Sequence, residues 1–219
     1  MTSYIASDHM STESMMQYPN PSQSDQNEFL IRLYFGAGND LLDLCLGRAY
    51  LDFSRTLHGI AAHPSAYPEA KRFLRAEFSQ LSAGQPTPSS ECFDAWHAAV
   101  CSKLKAIYAQ HGHASFYIGQ AQKWINMTFK YVYVMGEAKL PGFASFYGLC
   151  HMPIDNIILK RLALAFASPP RLAQAWSRME SYEHYMEFQR WIRGAFKGSS
   201  PLAVEFKLWQ ELPNEILLE

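Results

Sequence analysis

Apolar residues recur at helical spacing along almost the whole chain from position 27 onward. They return every three or four positions, which places them on one face of an α-helix. Alternating apolar and polar runs bounded by hairpin signals are lacking, and the β-branched stretch 131–134 is typical of a helix end. The pattern predicts an all-α multi-helix domain, with helices at 28–35, 40–59, 68–81, 90–110, 115–135, 141–150, 153–167, 170–179, 181–197 and 201–210.

Prolines and polar residues support these helix starts. Proline is tolerated in the first turn of a helix, because its missing N–H has no partner there. Serines at 89, 90 and 181 are followed by acidic residues, and this order is typical of capped helix starts. The prolines that we assign to first turns are Pro68, Pro141, Pro153, Pro170 and Pro201.

The first 26 residues differ from the rest of the chain. They are rich in Ser, Thr, Gln, Asn and Met, contain Pro19 and Pro21, and show little periodicity. Such a segment buries too little apolar surface to offset the entropy of ordering. We therefore predict a disordered tail over residues 1–26 and a single helical domain over residues 27–219.

Composition indicates a protein with a hydrophobic core and without a membrane span. With 219 residues and 48% hydrophobic content, the chain can bury a sizeable core. No apolar run approaches the roughly 18 residues of a membrane span, and no secretion signal begins the sequence. The scattered cysteines show no Cys-x-x-Cys spacing, so we expect reduced thiols in a cytoplasmic protein that does not enter a membrane. They are Cys45, Cys92, Cys101 and Cys150.

Charge is close to balanced overall but uneven along the chain. A net charge of −1 argues against a protein that binds nucleic acid over its whole surface. Between Ser115 and Arg178, however, seven lysines and arginines stand against two acidic residues. This local excess is compatible with a nucleic-acid contact and equally with ordinary solvated lysines that happen to cluster.

One stretch carries candidate chemistry. Residues 117–123 read Tyr-Ile-Gly-Gln-Ala-Gln-Lys, and residues 152–155 read Met-Pro-Ile-Asp, so that Asp155 lies 32 positions after Lys123. This order resembles the helix-hairpin-helix DNA glycosylases, with their Leu-Pro-Gly-Val-Gly-x-Lys hairpin and later Val-Pro-Val-Asp. The long connection is similar to that of the 8-oxoguanine glycosylase branch. The chain departs from the pattern at Ile118, Ala121 and Ile157, where the family has proline, glycine and often histidine.

The resemblance implies a function and a set of site residues. It implies that Lys123 attacks the sugar as a modified or damaged base leaves, that Asp155 stabilises the developing positive charge, and that no metal or diffusible cofactor takes part. It also implies that duplex DNA with a flipped base is the partner. The predicted DNA-contacting residues are Gly119, Gln120, Ala121 and Gln122.

General chemistry explains why these residue types stand where they do. A lysine becomes a nucleophile only where burial or a nearby cation favours its neutral amine. A carboxylate at a helix N-terminus is kept ionised by backbone N–H groups. The alternative interpretation is that Lys123 is an ordinary exposed helix lysine and that Asp155 is only a helix cap.

Two further functions remain open. Arg178 and His184 are separated by five residues, which resembles the Arg-x(4 to 6)-His spacing of the all-helical HEPN ribonucleases. An arginine and a histidine held close together can bind a phosphate and move a proton. The third possibility is a helical binding module that has no catalytic activity.

Two other polar patterns favour structural roles. Arg48, Asp52 and Arg55 recur along one side of an apolar helix, which favours a charge ladder over a phosphate-binding face. His97 and Cys101 stand four positions apart, but no second pair has zinc-site spacing. We therefore predict a buried histidine pair in this region and no metal site.

Overall fold

The computed structural model describes residues 20–57, 65–84 and 89–210. By its internal contacts the chain divides into two units, residues 1–37 and 38–219. The described part of the first unit contains helix α1 (Gln23–Phe35), which Ser22 caps by accepting from the Asp25 N–H. Residues 23–26, which we assigned to the tail, are thus helical, and most of the predicted tail lies outside the described residues.

The described part of the second unit is built from helices. Two short 3₁₀ helices, Ala144–Phe146 and Trp176–Arg178, interrupt the series of α-helices. The described ranges contain no strand, which confirms the all-α prediction. None of their helices combines the length and apolar character needed to cross a bilayer. The α-helices are α2 (Leu41–Ser54), α3 (Ala66–Ser82), α4 (Ser90–Gln110), α5 (Ile118–Met135), α6 (Asn156–Ala165), α7 (Tyr182–Ala195) and α8 (Pro201–Gln210).

Helix α5 lies at the centre of this unit, and almost all of its residues are buried. It packs against α2, α4 and α7 and against the second 3₁₀ helix. Trp124 is fully buried and stacks on Tyr67, and its indole N–H donates to the Leu46 carbonyl at 3.0 Å. Because α5 is enclosed, any polar side chain on it must find its partners inside the protein.

Polar caps fix the start of several helices. Asp40, Ser89 and Ser181 cap α2, α4 and α7, each accepting from the backbone N–H three residues later. Helices α4 and α8 begin and end where the sequence predicts. Helix α6 begins later than predicted, because Asp155 is its cap and Pro153 lies in the loop before it.

Two predicted helices are wrong. Segment 141–150 forms turns and the 3₁₀ helix Ala144–Phe146, since Gly142 adopts a positive φ of 93°, and a Cβ there would lie 2.3 Å from the Ser82 carbonyl oxygen. Segment 170–179 forms only the 3₁₀ helix Trp176–Arg178. Between residues 170 and 179 only Trp176 and Met179 are buried, and two apolar contacts do not stabilise a helix that follows two prolines.

Candidate functional site

Lys123 and Asp155 meet in the interior of the second unit. Lys123 is only 4% exposed, and its Nζ lies 2.5 Å from Asp155 Oδ2. The other oxygen of the same carboxylate accepts from the Ile158 N–H at 2.9 Å and so caps α6. One carboxylate therefore joins α6 to α5 through Lys123. The two residues converge as the sequence suggests, and their chemical roles remain a prediction.

More charged side chains surround this pair. Lys130 Nζ lies 2.6 Å from Oε1 of Glu205, which is 1% exposed, and its ammonium group stands 4.7 Å from the centre of the Trp209 ring. Burial raises the pKa of Glu205, although the charge of Lys130 opposes the rise. The charged cluster consists of Asp52, Lys123, Lys130, Asp155 and Glu205.

Asp52 brings helix α2 into the charged cluster. Burial raises its pKa, and the hydrogen bond from Tyr131 and the charges of Arg48, Lys123 and Lys130 oppose the rise. Arg48 lies 3.6 Å from Asp52, so the first step of the predicted charge ladder forms. The second step does not form among the described residues, because Arg55 lines a surface cavity instead.

Gln122, the residue before Lys123, faces a different set of partners. Its amide nitrogen donates to the Gly119 and Ile154 carbonyls at 2.9 and 3.0 Å. Its oxygen accepts from the Ile154 N–H at 3.2 Å and from Asn126 at 3.0 Å. Since Ile154 immediately precedes Asp155, Gln122 holds the loop that places the carboxylate beside Lys123.

A chain of buried hydrogen bonds continues from Gln122. Asn126 Nδ2 donates to the Tyr185 hydroxyl at 2.8 Å, and Asn126 Oδ1 lies 3.1 Å from His97 Nε2. The Tyr185 hydroxyl lies 2.8 Å from His151 Nδ1. We define these five residues as the neutral network: His97, Gln122, Asn126, His151 and Tyr185.

The donors and acceptors of the neutral network match only one pattern of protons. Because Tyr185 accepts from Asn126, its hydroxyl donates to His151 Nδ1, and His151 Nε2 then donates to Asp94 Oδ1 at 2.7 Å. Burial lowers the pKa of His151 and of His97, so both rings are neutral. Every member of the network is therefore satisfied without carrying charge.

Asp94 ends this chain of hydrogen bonds. Arg193 grips its carboxylate with two bonds of 2.8 Å. Burial would raise the pKa of Asp94, but hydrogen bonds from Arg193 and His151 hold it well below its usual range. The neutral network is not predicted from the sequence. Its signal was a set of polar residues at core positions of helices, such as Asn126 between Ile125 and Met127.

The segment predicted to contact DNA is buried. Gly119, Gln120, Ala121 and Gln122 all lie inside the protein. The Gly119 N–H donates to the Met179 carbonyl at 3.1 Å, and the Gln120 and Ala121 N–H groups donate to the Tyr117 carbonyl. A Cβ on Gly119 would lie 1.7 Å from the Trp176 carbonyl oxygen, so only glycine fits there. The DNA contact remains a prediction, and Trp176 and Met179 cover Gly119 in this structure.

Arg178 and His184 lie on different elements. Arg178 ends the second 3₁₀ helix, and His184 is in the first turn of α7. Arg178 lines a cavity of about 430 Å³, whereas His184 lines a separate one of about 250 Å³. The ribonuclease alternative needs both side chains on one phosphate, and it gains no support from these positions.

His97 and Cys101 take part in hydrogen bonding. The Cys101 Sγ lies 3.7 Å from His97 Nδ1, and burial raises the pKa of the thiol. Within the described ranges, no three His, Cys, Asp or Glu side chains are grouped so that they could hold a metal ion. His97 also lies against His151, with ring centres 4.6 Å apart, a contact that is not predicted from the sequence.

Comparisons of the chain with family models, with curated proteins and with solved structures find no match. The resemblance to helix-hairpin-helix glycosylases therefore rests on the sequence residues 117–123 and 152–155 alone.

Proposed function

We propose that this protein is a DNA glycosylase of the helix-hairpin-helix kind that acts on a modified or damaged base, with Lys123 as nucleophile. The observation that carries the proposal is the buried contact between Lys123 Nζ and Asp155 at 2.5 Å. A lysine and an aspartate 32 positions apart meet in the order that the resemblance requires. Both side chains are largely enclosed, so water has little access to the pair.

The proposed reaction is an exchange of bonds at the sugar carbon C1′. The ammonium group of Lys123 first releases a proton to solvent. The neutral amine then attacks C1′ while the bond from C1′ to the base breaks, and the electron pair of that bond leaves with the base, which takes up a proton. Asp155 stabilises the positive charge that develops on the sugar. Loss of a proton from the resulting adduct and opening of the sugar ring give a Schiff base between Lys123 and C1′.

Access to Lys123 requires movement. The Lys123 side chain is 5% exposed, so a sugar reaches Nζ only when covering residues shift. This burial also favours the second candidate, a helical binding module in which the pair merely ties α5 to α6. The two candidates differ in one respect: only the glycosylase forms a covalent bond to DNA.

Borohydride trapping tests the proposal. Duplexes with an abasic site, 8-oxoguanine or uracil are incubated with the protein, and borohydride reduces any Schiff base to a stable adduct. We expect an adduct with wild-type protein and with the exposed-lysine control Lys139→Gln, and none with Lys123→Gln. Asp155→Asn should bind DNA and slow excision more than tenfold, which corresponds to about 1.4 kcal/mol or more of transition-state stabilisation.

The trapping outcomes separate the candidates. Adduct of equal yield from Lys123→Gln rejects the role assigned to Lys123. No adduct with any duplex, together with RNA cleavage that depends on Arg178 and His184, selects the ribonuclease. If no adduct forms and no RNA is cleaved, the results favour the binding module.

A further inference from the structure

A cavity of about 430 Å³ lies beside the first turn of α5. Its volume falls within the range of roughly 300–1,000 Å³ found for small-molecule sites. The lining includes two arginines and several hydroxyl groups, and it contains no carboxylate among the described residues. The groups that could bind a ligand there include Arg55, Thr56, Ser115, Tyr117, Ser177 and Arg178.

Among the described residues, the two arginines of this cavity have no acidic partner. No carboxylate of those residues forms an ion pair with Arg55 or Arg178, and neither side chain makes another polar contact with them. Arg193 behaves differently, because Asp94 occupies its guanidinium with two hydrogen bonds. Two unneutralised guanidinium groups on one cavity attract an anion, and their forked donors match the oxygens of a phosphate.

The backbone under each arginine is fixed to the start of α5. On one side, Gln120 Nε2 donates to the Thr56 carbonyl and hydroxyl at 3.1 and 3.2 Å, next to Arg55. On the other side, the Gly119 N–H holds Met179, next to Arg178, at 3.1 Å. The walls that carry the two cations are therefore anchored to consecutive residues of one helix.

Backbone N–H groups do not provide the anion site. The N–H groups of Tyr117, Gly119, Gln120 and Ala121 all donate to acceptors inside the protein. The arginine side chains and the hydroxyls of Ser115, Tyr117 and Ser177 are what the cavity offers to a ligand. A ligand with phosphate oxygens for the guanidinium groups and a further polar portion for the hydroxyls fits this volume and chemistry.

We propose that this cavity is a binding site for a phosphate ester, carried either by a DNA strand or by a free nucleotide. The proposal goes beyond the glycosylase function and does not depend on the chemistry of Lys123. Gln120 on the cavity wall lies three residues before Lys123, which is about 4.5 Å along the helix axis. The cavity thus lies beside the helix turn that leads to the lysine.

Binding measurements test the site with two probes. The first is a fluorescent 20-base-pair duplex at low salt, and the second is 2′-deoxyguanosine 5′-monophosphate, with deoxyguanosine as its phosphate-free control. The variants are Arg55→Gln, Arg178→Gln and the double substitution. Arg171→Gln is the matched control, because that arginine is also exposed but lines the separate 250 Å³ cavity. Thermal melting checks that each variant is folded.

We expect each single substitution to weaken binding of the relevant probe about tenfold, and Arg171→Gln to leave it unchanged. If only duplex binding is lost, a DNA strand is the source of the phosphate. In that case the slope of the logarithm of the binding constant against the logarithm of the salt concentration should fall by about one for each arginine removed. Loss of nucleotide binding identifies a free nucleotide, provided that deoxyguanosine does not bind. The proposal is overturned if neither probe binds wild-type protein, or if the double variant binds both as tightly as Arg171→Gln does.

These outcomes are separable from the fate of the proposed function. Weakened binding in the arginine variants, without any trapped adduct from wild-type protein, retains the phosphate site and rejects the glycosylase. A trapped adduct that depends on Lys123, together with unchanged binding in the arginine variants, supports the glycosylase and rejects the phosphate site.

Discussion

The charged cluster and the neutral network both include buried residues of α5. The buried polar groups are paired as ions in the charged cluster and by hydrogen bonds between uncharged groups in the neutral network. In the neutral network each donor meets an acceptor, and no member carries charge. The charged cluster instead buries lysines next to carboxylates. One of its carboxylate oxygens, Glu205 Oε2, has no hydrogen-bond partner within the described ranges. Buried ion pairs are costly to maintain, whereas a satisfied neutral network fixes geometry at little cost.

Two consecutive residues of α5, Gln122 and Lys123, belong to different sets and hold different parts of the protein. Gln122 belongs to the neutral network and holds the Ile154 backbone, while Lys123 belongs to the charged cluster and holds Asp155. The network fixes the position of the loop, and the cluster contains the lysine and the carboxylate of the proposed reaction. We place the chemistry in the charged cluster for that reason.

Breaking the charged pair should produce the largest change in stability. Lys123→Met leaves the Asp155 carboxylate without its cation in the interior, and we expect a loss of about 3–5 kcal/mol in the free energy of unfolding. The double variant Lys123→Met/Asp155→Asn should recover most of this loss, since asparagine still caps α6. Urea unfolding of the four proteins measures the coupling. Strictly additive losses would contradict the ion pair.

Breaking the neutral network should cost less. Asn126→Ala leaves the polar atoms of His97, Gln122 and Tyr185 without their partner, and we expect a loss of about 2–3 kcal/mol. Asn156→Ala, at an exposed position of α6, is the control and should change stability by less than about 0.5 kcal/mol. Equal effects at both asparagines would show that the network does not form.

The two regions should respond to acid with opposite signs. The pKa values of His97 and His151 are lowered in the folded protein, so their contribution to stability is present above about pH 6.5 and is lost as pH falls toward the lowered values. The pKa values of Asp52 and Glu205 are raised by burial, so protonation in acid relieves their cost.

Urea midpoints between pH 7 and pH 5 measure this response. His151→Gln should flatten the loss of stability in acid by at most about 1.4 kcal/mol per pH unit. Glu205→Gln should steepen the loss, because it removes a group whose protonation favours the folded state. An unchanged slope in both variants would reject the assigned pKa shifts.

The sequence predicts local structure better than it predicts partners. The starts of α4 and α8 are visible from Ser89 and Pro201, and Asp155 is recognisable at a helix start. Segment 170–179 fails as a helix because its residues are mostly exposed, which no periodicity reveals in advance.

The candidate site shows the same limit. The order of residues identifies Lys123 and Asp155, because both occupy positions in a recognisable pattern. The partners of His151, however, are Asp94 and Tyr185, which lie 57 and 34 residues away along the chain. Nothing local in the sequence specifies such pairs, since they depend on how α4 and α7 pack against α5. Packing of the second 3₁₀ helix against α5 covers Gly119, which the sequence predicts to contact DNA.

The central claim is that the amine of Lys123 bonds to the sugar, and mapping the reduced adduct tests it most directly. Wild-type protein is trapped with borohydride on a duplex carrying an abasic site, digested, and analysed by mass spectrometry. The account predicts that the sugar remnant is attached to the peptide that contains Lys123, at that residue. A remnant on Lys130 or another lysine, with Lys123 unmodified, would contradict it.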